Sequence, residues 1–482
     1  MRSRALWGGI AVSGLLLHLL AAQALYSAGD RLMAWLLLLV FVVIAYRYLR
    51  KPGGRIPLLP LVTLEIYMMY GAAQFTQEKI LIGDGWYSAA PSTIHAAMLL
   101  VISGEAGMLL LFALGERMAK RWKRSWSMLY PSNLDCTKHL AIVYGLLGML
   151  WYFVQNTQVG IIPIEVRNVF QAVLNPYLGL ILVLYWAHQA EGRRYRVVGA
   201  WMVVAMILSG MLSSMLEIIL VPVYLVILAD WIWGNVLRTK LAVGAVFFFV
   251  LLSPVKYHYR HLAVDAPPVL SVSTLLERVS MWQQAIRRTW DDPFVREKSV
   301  EAASDRTSAL LSLAQVIEWV PRSVPYNKGE GLAESIFYWI PRIFWRSKPS
   351  ISDLLNNKYA IAFGYSTPEG VRTSTIGICQ PADGYWDWGG AGAILYMSLF
   401  GLVLGILFGE TGRANQVANV IVMVFSASFF QSLVSLQFLI ASLFSLFVGA
   451  WLALHSLKLG DAVLYGNGVG IRRARTWRSW GR

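Results

Sequence analysis

The sequence predicts an all-α, polytopic integral membrane protein with about twelve transmembrane helices and one large non-cytoplasmic loop that contains amphipathic helices. Three observations carry the prediction. Apolar residues make up 57% of the 482 positions and charged residues only 14%, against about 25% charged in an ordinary soluble protein. The apolar residues gather into runs long enough to cross a hydrocarbon core of about 30 Å. The net charge of +15 is unevenly placed: 24 of the 42 Lys and Arg, counting Arg47 at the end of the second span, but 5 of the 27 Asp and Glu, lie in the termini and in short connections on one side. That is the positive-inside pattern, and it argues against a nucleic-acid-binding surface. The 20 Trp and 22 Tyr suit two interfacial aromatic belts.

Spans are expected at about 6–28, 32–49, 57–76, 94–115, 140–157, 172–190, 197–213, 218–235, 241–255, 391–409, 416–434 and 437–456. The first is long enough to cross and a second follows at once, which argues against a cleavable signal peptide. Only about Gly29–Arg31 is left as the loop between them. Basic clusters follow the even-numbered spans, as in Arg117, Lys120, Arg121, Lys123 and Arg124, so both termini are expected to be cytoplasmic. The chain divides into nine spans over 1–255, the large loop over 256–390, three spans over 391–456 and a basic tail over 457–482. That tail, with Arg472, Arg473, Arg475, Arg478 and Arg482, suits anionic headgroups. Cys136 and Cys379 fall on opposite sides of the membrane, so they imply no disulfide.

The large loop is long enough to be functional in itself. Leu275, Leu276, Val279, Trp282, Ile286 and Trp290 are spaced as on one face of a helix over 274–290, with Arg278, Arg287 and Arg288 opposite. Thr274 and Glu277 fit a capping box at its start. Such a helix suits a membrane surface. A second helix is expected over about 305–320, ended by Pro321, and a third apolar stretch over 332–340 stops at Pro341.

Soluble catalytic signatures are missing from the sequence: it has no Walker loop, HExxH, CxxC or nucleophile elbow. Asp291-Asp292 reads as a surface turn before Pro293. The loop carries 15 basic and 14 acidic residues, so most of its charges are expected to be paired or solvated. Arg342, Arg346 and Lys348 stand apart. They are packed among aromatics between Pro341 and Pro349. A rigid cationic turn at a membrane surface suits either a lipid-linked pyrophosphate or headgroup anchoring, because arginine binds phosphate bidentately and lysine adds a point charge. Glu65, Glu105 and His18 lie within spans, where an ionisable group is a functional candidate or a hydrogen-bonded neutral side chain.

A resemblance then emerges in chain order. Arg306 opens a helix; Pro325-Tyr326 and Gly329-Glu330-Gly331 follow; then Ile340-Pro341-Arg342 and Lys348-Pro349. A Gly/Ser/Thr-rich stretch includes Gly364, Thr373, Ser374, Thr375 and Gly377, and the segment closes with Asp383-Gly384-Tyr385-Trp386-Asp387-Trp388-Gly389 and Gly392. With the topology, this segment of roughly 306–392 resembles the Wzy-type oligosaccharide repeat-unit polymerases, the O-antigen and exopolysaccharide polymerases of bacterial inner membranes. Arg346 stands where that family often has Pro, and Asp387-Trp388 where Asn-Phe is commoner. The region 210–217 lacks the Arg that many members carry near a central span.

The resemblance implies a metal-independent, inverting glycosyl transfer at the periplasmic face of the inner membrane. A growing glycan leaves its undecaprenyl pyrophosphate for a hydroxyl of the incoming lipid-linked unit. No cofactor is implied. Candidate catalytic residues are Arg306, Arg342 and Lys348 for the leaving pyrophosphate and Asp383 as a base or positioning group for the acceptor hydroxyl, with a local cap or turn as its alternative. Glu217 and His258 are the other candidate bases, with Arg260, Arg346 and Tyr385 as further substrate-binding candidates. The implied partners are the undecaprenyl-pyrophosphate-linked oligosaccharide and membrane lipids, with a chain-length regulator and a flippase as further candidates and no nucleic acid. An O-antigen ligase, a lipid-linked oligosaccharide flippase and a structural member of an export complex remain alternatives.

Overall fold

The computed structural model describes residues 2–465 apart from 21–24, 51–55, 76–78, 83–84, 130–133, 158–169, 171–172, 190–191, 213–215, 264–271, 300–308, 338–339, 341–344, 346–347, 349–355, 373–376, 410, 412–415 and 430–435. Helices dominate it. Among the described residues seven helical runs are long and apolar enough to cross a membrane: Ala28–Tyr48, Leu58–Phe75, Pro91–Arg121, Arg193–Leu212, Thr239–Lys256, Gln380–Gly409 and Phe447–Leu464. Shorter apolar helices include Trp7–Leu20, Ala141–Gln155, Pro176–Ala187, Ile219–Ile232 and Gln416–Ala427. Large apolar side chains that a soluble protein would bury lie exposed along several of them, as with Val243, Val246, Phe247 and Val250. The architecture is that of a helical, multi-pass membrane protein.

α1 (Arg2–Leu20) packs on α2 (Ala28–Leu49). Ser27 caps α2: its hydroxyl accepts from the Asp30 amide at 3.2 Å, and Asp30 accepts from the Ser27 amide at 2.8 Å. Gly29–Arg31 is therefore the first turn of a helix, not a loop. α3 (Leu58–Ile66) passes into a π-turn at Tyr67–Gly71 and a 3-10 turn at Ala72–Phe75. Two short antiparallel strands follow, β1 (Ile80–Ile82) and β2 (Gly85–Tyr87), with Ile80 opposite Tyr87. They are the exception to the all-α expectation.

α4 (Pro91–Leu129) has 39 residues and a length of about 58 Å at 1.5 Å per residue. His95 in its first turns bonds Asp30 at 2.8 Å and ties α4 to the start of α2. α5 (Ala141–Thr157), α6 (Pro176–Ala187) and α7 (Arg193–Leu212) pack on one another. α6 starts with proline in its first turn, and the Asn175 side chain accepts from the amides of Tyr177 and Leu178. α8 (Leu216–Ile232) and α9 (Thr239–Ala263) each carry an internal proline. α9 continues eight residues beyond the expected span, so His258 and Arg260 lie on a helix.

α10 (Val272–Asp291) matches the helix expected over 274–290. Thr274 and Glu277 lie inside it, so the expected capping box is not its start. The apolar face is divided in two. Trp282 and Ala285 are buried against Val255 and Tyr259 of α9, while Leu276, Val279, Ile286 and Trp290 are exposed. Asp292 is more than a turn residue: its carboxylate caps the helix that follows, accepting from the amides of Phe294 and Val295. α11 (Leu310–Trp319), α12 (Glu330–Phe337) and α13 (Lys358–Ala362) complete the loop. α11 has its first two turns largely buried and no exposed residue, and it packs on both α4 and α14 (Gln380–Gly409). α15 (Gln416–Phe429) and α16 (Leu436–Tyr465) close the chain; α16 runs nine residues past the expected span.

The main pair is α4 with α14, and glycines make it. Gly104 faces Met397, Gly107 faces Ser398, and Gly401, Gly405 and Gly409 lie on Met108, Phe112 and Glu116–Ala119. Residue numbers rise together along the contact, so the helices run parallel. A Cβ on Gly401 or Gly405 would overlap the carbonyl oxygen of Met108 or Phe112. Membrane helices lack a hydrophobic drive to associate, and such close backbone contact supplies the packing instead. Gly405→Leu is expected to lower stability by about 3 kcal/mol or more, as severe overpacking does. Gly244→Ala, where a Cβ meets nothing within 4 Å, is expected to leave the thermal melt in detergent unchanged.

Candidate functional site

The polar residues of the closing motif lie on a folded helix. α14 breaks at Trp388 (φ −142°, ψ 26°) and Gly389 (φ 66°, ψ −155°). The arm before the break runs back along the arm after it: Gln380 donates to the Tyr396 carbonyl at 3.0 Å, and Gly384 meets Gly392 so closely that neither has room for a Cβ. Glycine at 389 meets the positive φ that the reversal needs. The motif was expected as loop; it is instead a buried helical arm, with Asp383 and Asp387 at 3% and 1% exposure.

The turn from Pro325 to Gly331 closes over this arm. Trp386 Nε1 donates to the Pro325 carbonyl at 3.0 Å, and the Asn327 amide donates to the Trp386 carbonyl at 3.0 Å. Asn327 Nδ2 donates to Asp387 Oδ1 at 2.8 Å. The other Asp387 oxygen accepts from the Tyr396 hydroxyl on the second arm. Gly329 (φ 79°) lies under the Trp388 ring, where a Cβ would stand 2.6 Å from Cζ2. Tyr326 sits beside Gly389. Two of the blocks of sequence quoted for the family resemblance are thus packed on each other.

A cation completes the arrangement. Lys358 on α13 donates to Asn327 Oδ1 at 2.6 Å and to Glu330 Oε2 at 2.6 Å, and its Nζ lies 5.9 Å from the Trp386 ring centre. An ordered path therefore runs from the surface pair Glu330–Lys358 through Asn327 to buried Asp387 and Tyr396. Lys358 holds the Glu330 carboxyl below its usual value by hydrogen bonding and charge. On the neighbouring face Tyr87 of β2 donates to Glu318 at 2.6 Å, and burial, then that bond, pushes its phenol up. Asp383 is held by Gln437 of α16, whose Nε2 donates to Oδ1 at 3.1 Å.

The candidate residues from the sequence separate. Asp383 lies in the site, and Tyr385 is half-buried on the same arm, near Tyr326 and Arg322. Lys348 is half-buried and donates to the Ile340 carbonyl at 3.1 Å. Arg306, Arg342 and Arg346 lie outside the described residues. His258 and Arg260 sit on α9, whose packing is with α8 and α10, so the structure groups them with the second small core. Glu217 is the second residue of α8. His18 meets Tyr67 at 3.3 Å and stacks near Phe75, rather than either intramembrane glutamate. Cys379 is buried and forms no disulfide.

The sequence reading passed over Asn327, Lys358, Tyr396 and Gln437. Two of them carried a signal. Asn327 lies between the quoted Pro325-Tyr326 and Gly329-Glu330-Gly331, and Gln437 is an amide in an apolar run, where a polar side chain needs a partner.

The family described as Domain of unknown function (DUF8712) matches residues 169–463, more than half of the chain. The chain belongs to the DUF8712 family. Its matched stretch contains the folded helix α14, the turn at 325–331, Lys358 and Gln437. No curated protein and no solved structure matches the chain.

Two measurements check the site. Asn327→Leu strips a buried carboxylate of one donor and is expected to destabilise by about 1–3 kcal/mol in a thermal melt. The Glu330–Lys358 pair is expected to be complete above the ordinary Glu value and to be lost as pH falls through the lowered Glu330 value. The Glu330 carboxyl resonance, followed by carbon NMR, is expected to titrate at higher pH in Lys358→Ala than in wild type.

Proposed function

We propose that the chain is a lipid-linked oligosaccharide polymerase. In this reading it transfers a growing glycan from undecaprenyl pyrophosphate to an incoming lipid-linked repeat unit, with inversion and without a metal. The observation that carries the reading is the packing of the Pro325–Gly331 turn on the Asp383–Gly389 arm through Asn327 and Asp387. These blocks lie far apart in sequence and are two of those that resemble the repeat-unit polymerases.

The reading assigns twelve spans, cytoplasmic termini, a bacterial inner-membrane location and the 256–390 segment to the periplasmic face. The leaving pyrophosphate develops charge, and preorganised cations stabilise it. Arg342, Arg306 and Lys348 are assigned that role, with Arg346 beside them. The buried polar path from Lys358 through Asn327 to Asp387 keeps the folded arm in place. Arg260 and His258 on α9 and Glu217 on α8 are further substrate-binding candidates in this reading. A ligase uses similar chemistry on a different acceptor and is the second reading.

The test is to delete the gene, complement it with wild type or Arg342→Ala, and resolve lipid-linked and surface glycans by length. Single repeat units without longer chains in the deletion are expected. Arg342→Ala at normal protein level is expected to reduce long chains by about 100-fold or more, as loss of a donor to a developing charge does. Long lipid-linked polymer that never reaches its final acceptor identifies a ligase, and units accumulating on the cytoplasmic side identify a flippase.

A further inference from the structure

The two carboxyl groups of the folded arm, four residues apart, are supplied with hydrogen-bond donors very differently. Asp387 accepts from Asn327 Nδ2 on one oxygen and from the Tyr396 hydroxyl on the other, with the Lys358 ammonium one residue behind Asn327. Asp383 receives one bond, from Gln437 Nε2 to Oδ1. Its Oδ2 is buried and has no protein partner, and neither has Gln437 Oε1.

The hydrogens at this point can be counted. Gln437 supplies two from Nε2, and among the described residues Asp383 and Tyr396 lie within its reach. The Tyr396 hydroxyl has a single hydrogen, which goes to Asp387. Turning the Gln437 amide over would only exchange one starved acceptor for another. Gly331 seals the far side, since a Cβ there would overlap Gln437 Oε1. The titratable groups facing Asp383 are Asp387 on its own arm, Tyr396 on the second arm and Cys379 before it. Among the described residues no basic side chain forms an ion pair with Asp383.

We infer that Asp383 is held as the neutral acid and donates its Oδ2 proton to Gln437 Oε1, while Asp387 carries the negative charge. Acid and amide then form a ring of two hydrogen bonds, and one proton satisfies both orphaned oxygens. Buried acceptors left without a donor are costly, and an isolated buried carboxylate costs more. Two nearby carboxyls whose surroundings differ this way divide into an acid and a charged group. Gln437 is therefore a positioning residue: it holds the proton on Asp383 and clasps α16 to the folded arm. In its resting state Asp383 is a proton donor, not the base that the sequence suggests. This deepens the glycosyltransferase reading of the same site, but its test reads the proton directly and does not depend on glycan products.

Infrared spectroscopy of the full-length protein in detergent at neutral pH, with carboxyl-labelled aspartate, is the test. A protonated aspartic-acid C=O band that shifts with the label is expected in wild type, absent in Asp383→Asn and retained in Asp387→Asn. The side-chain amide introduced by Asp383→Asn offers an N–H where the acid offers O–H, so this variant is expected to fold and melt as wild type. Gln437→Met is expected to shift the band and lower the melting temperature. A missing band means that a bound water supplies the hydrogen, and overturns the inference. A band that survives Asp383→Asn, or failure of that variant to fold, overturns it as well.

Discussion

Everything near the candidate site depends on the backbone contact between α4 and α14. Glycines at 104, 107 and 115 on one helix and at 401, 405 and 409 on the other bring the two helices together, with backbone against backbone at Gly115, Gly401 and Gly405. In a membrane this contact is worth more than apolar bulk, because lipid satisfies bulk equally well. The pair also fixes where the second arm of α14 stands. The first arm can fold back only along that rail, and α11 fills the space left between the two helices. The position of Asp383 and Asp387 is thus set by residues well removed from them.

The polar core of the elbow is built on this frame. A charged residue within a membrane protein is retained where neighbours supply partners. Asp387 has two buried donors and a relayed cation, so its partners come from α13, from the turn at 325–331 and from the second arm. Gln437 adds α16. Four separate stretches of chain therefore converge on one helical turn. Loosening any of them exposes an unpaired buried group, which makes the arrangement cooperative.

Much of the fold was legible in the sequence because a membrane imposes strong patterns. The helix at 272–291 was readable from apolar spacing, and the runs that became α2, α4 and α7 from length and composition. The closing motif was misread as loop because Asp383, Gly384, Asp387, Gly389 and Gly390 carry low helix propensity. Burial against the second arm overrides that preference. Asp383 was legible as a site residue. Lys358 and Asn327 were not, since their importance lies in partners 28 to 60 residues away. The glycine spacing at 401, 405 and 409 was equally silent, because a glycine reports only that something comes close, not what.

The α9–α10 pair has a different relation to the molecule. Its small core of Val255, Tyr259, Trp282 and Ala285 is separate from the main one, and the span in α9 is the least buried of the seven. One bond that fixes it inward runs from Trp282 Nε1 to the Met211 carbonyl at 2.6 Å. Local opening follows the number of buried contacts a segment makes. Amide hydrogens along α10 will therefore exchange with solvent sooner than those of α11, which is mostly buried and has no exposed residue. The periphery of the 256–390 segment is set to breathe while its centre stays shut.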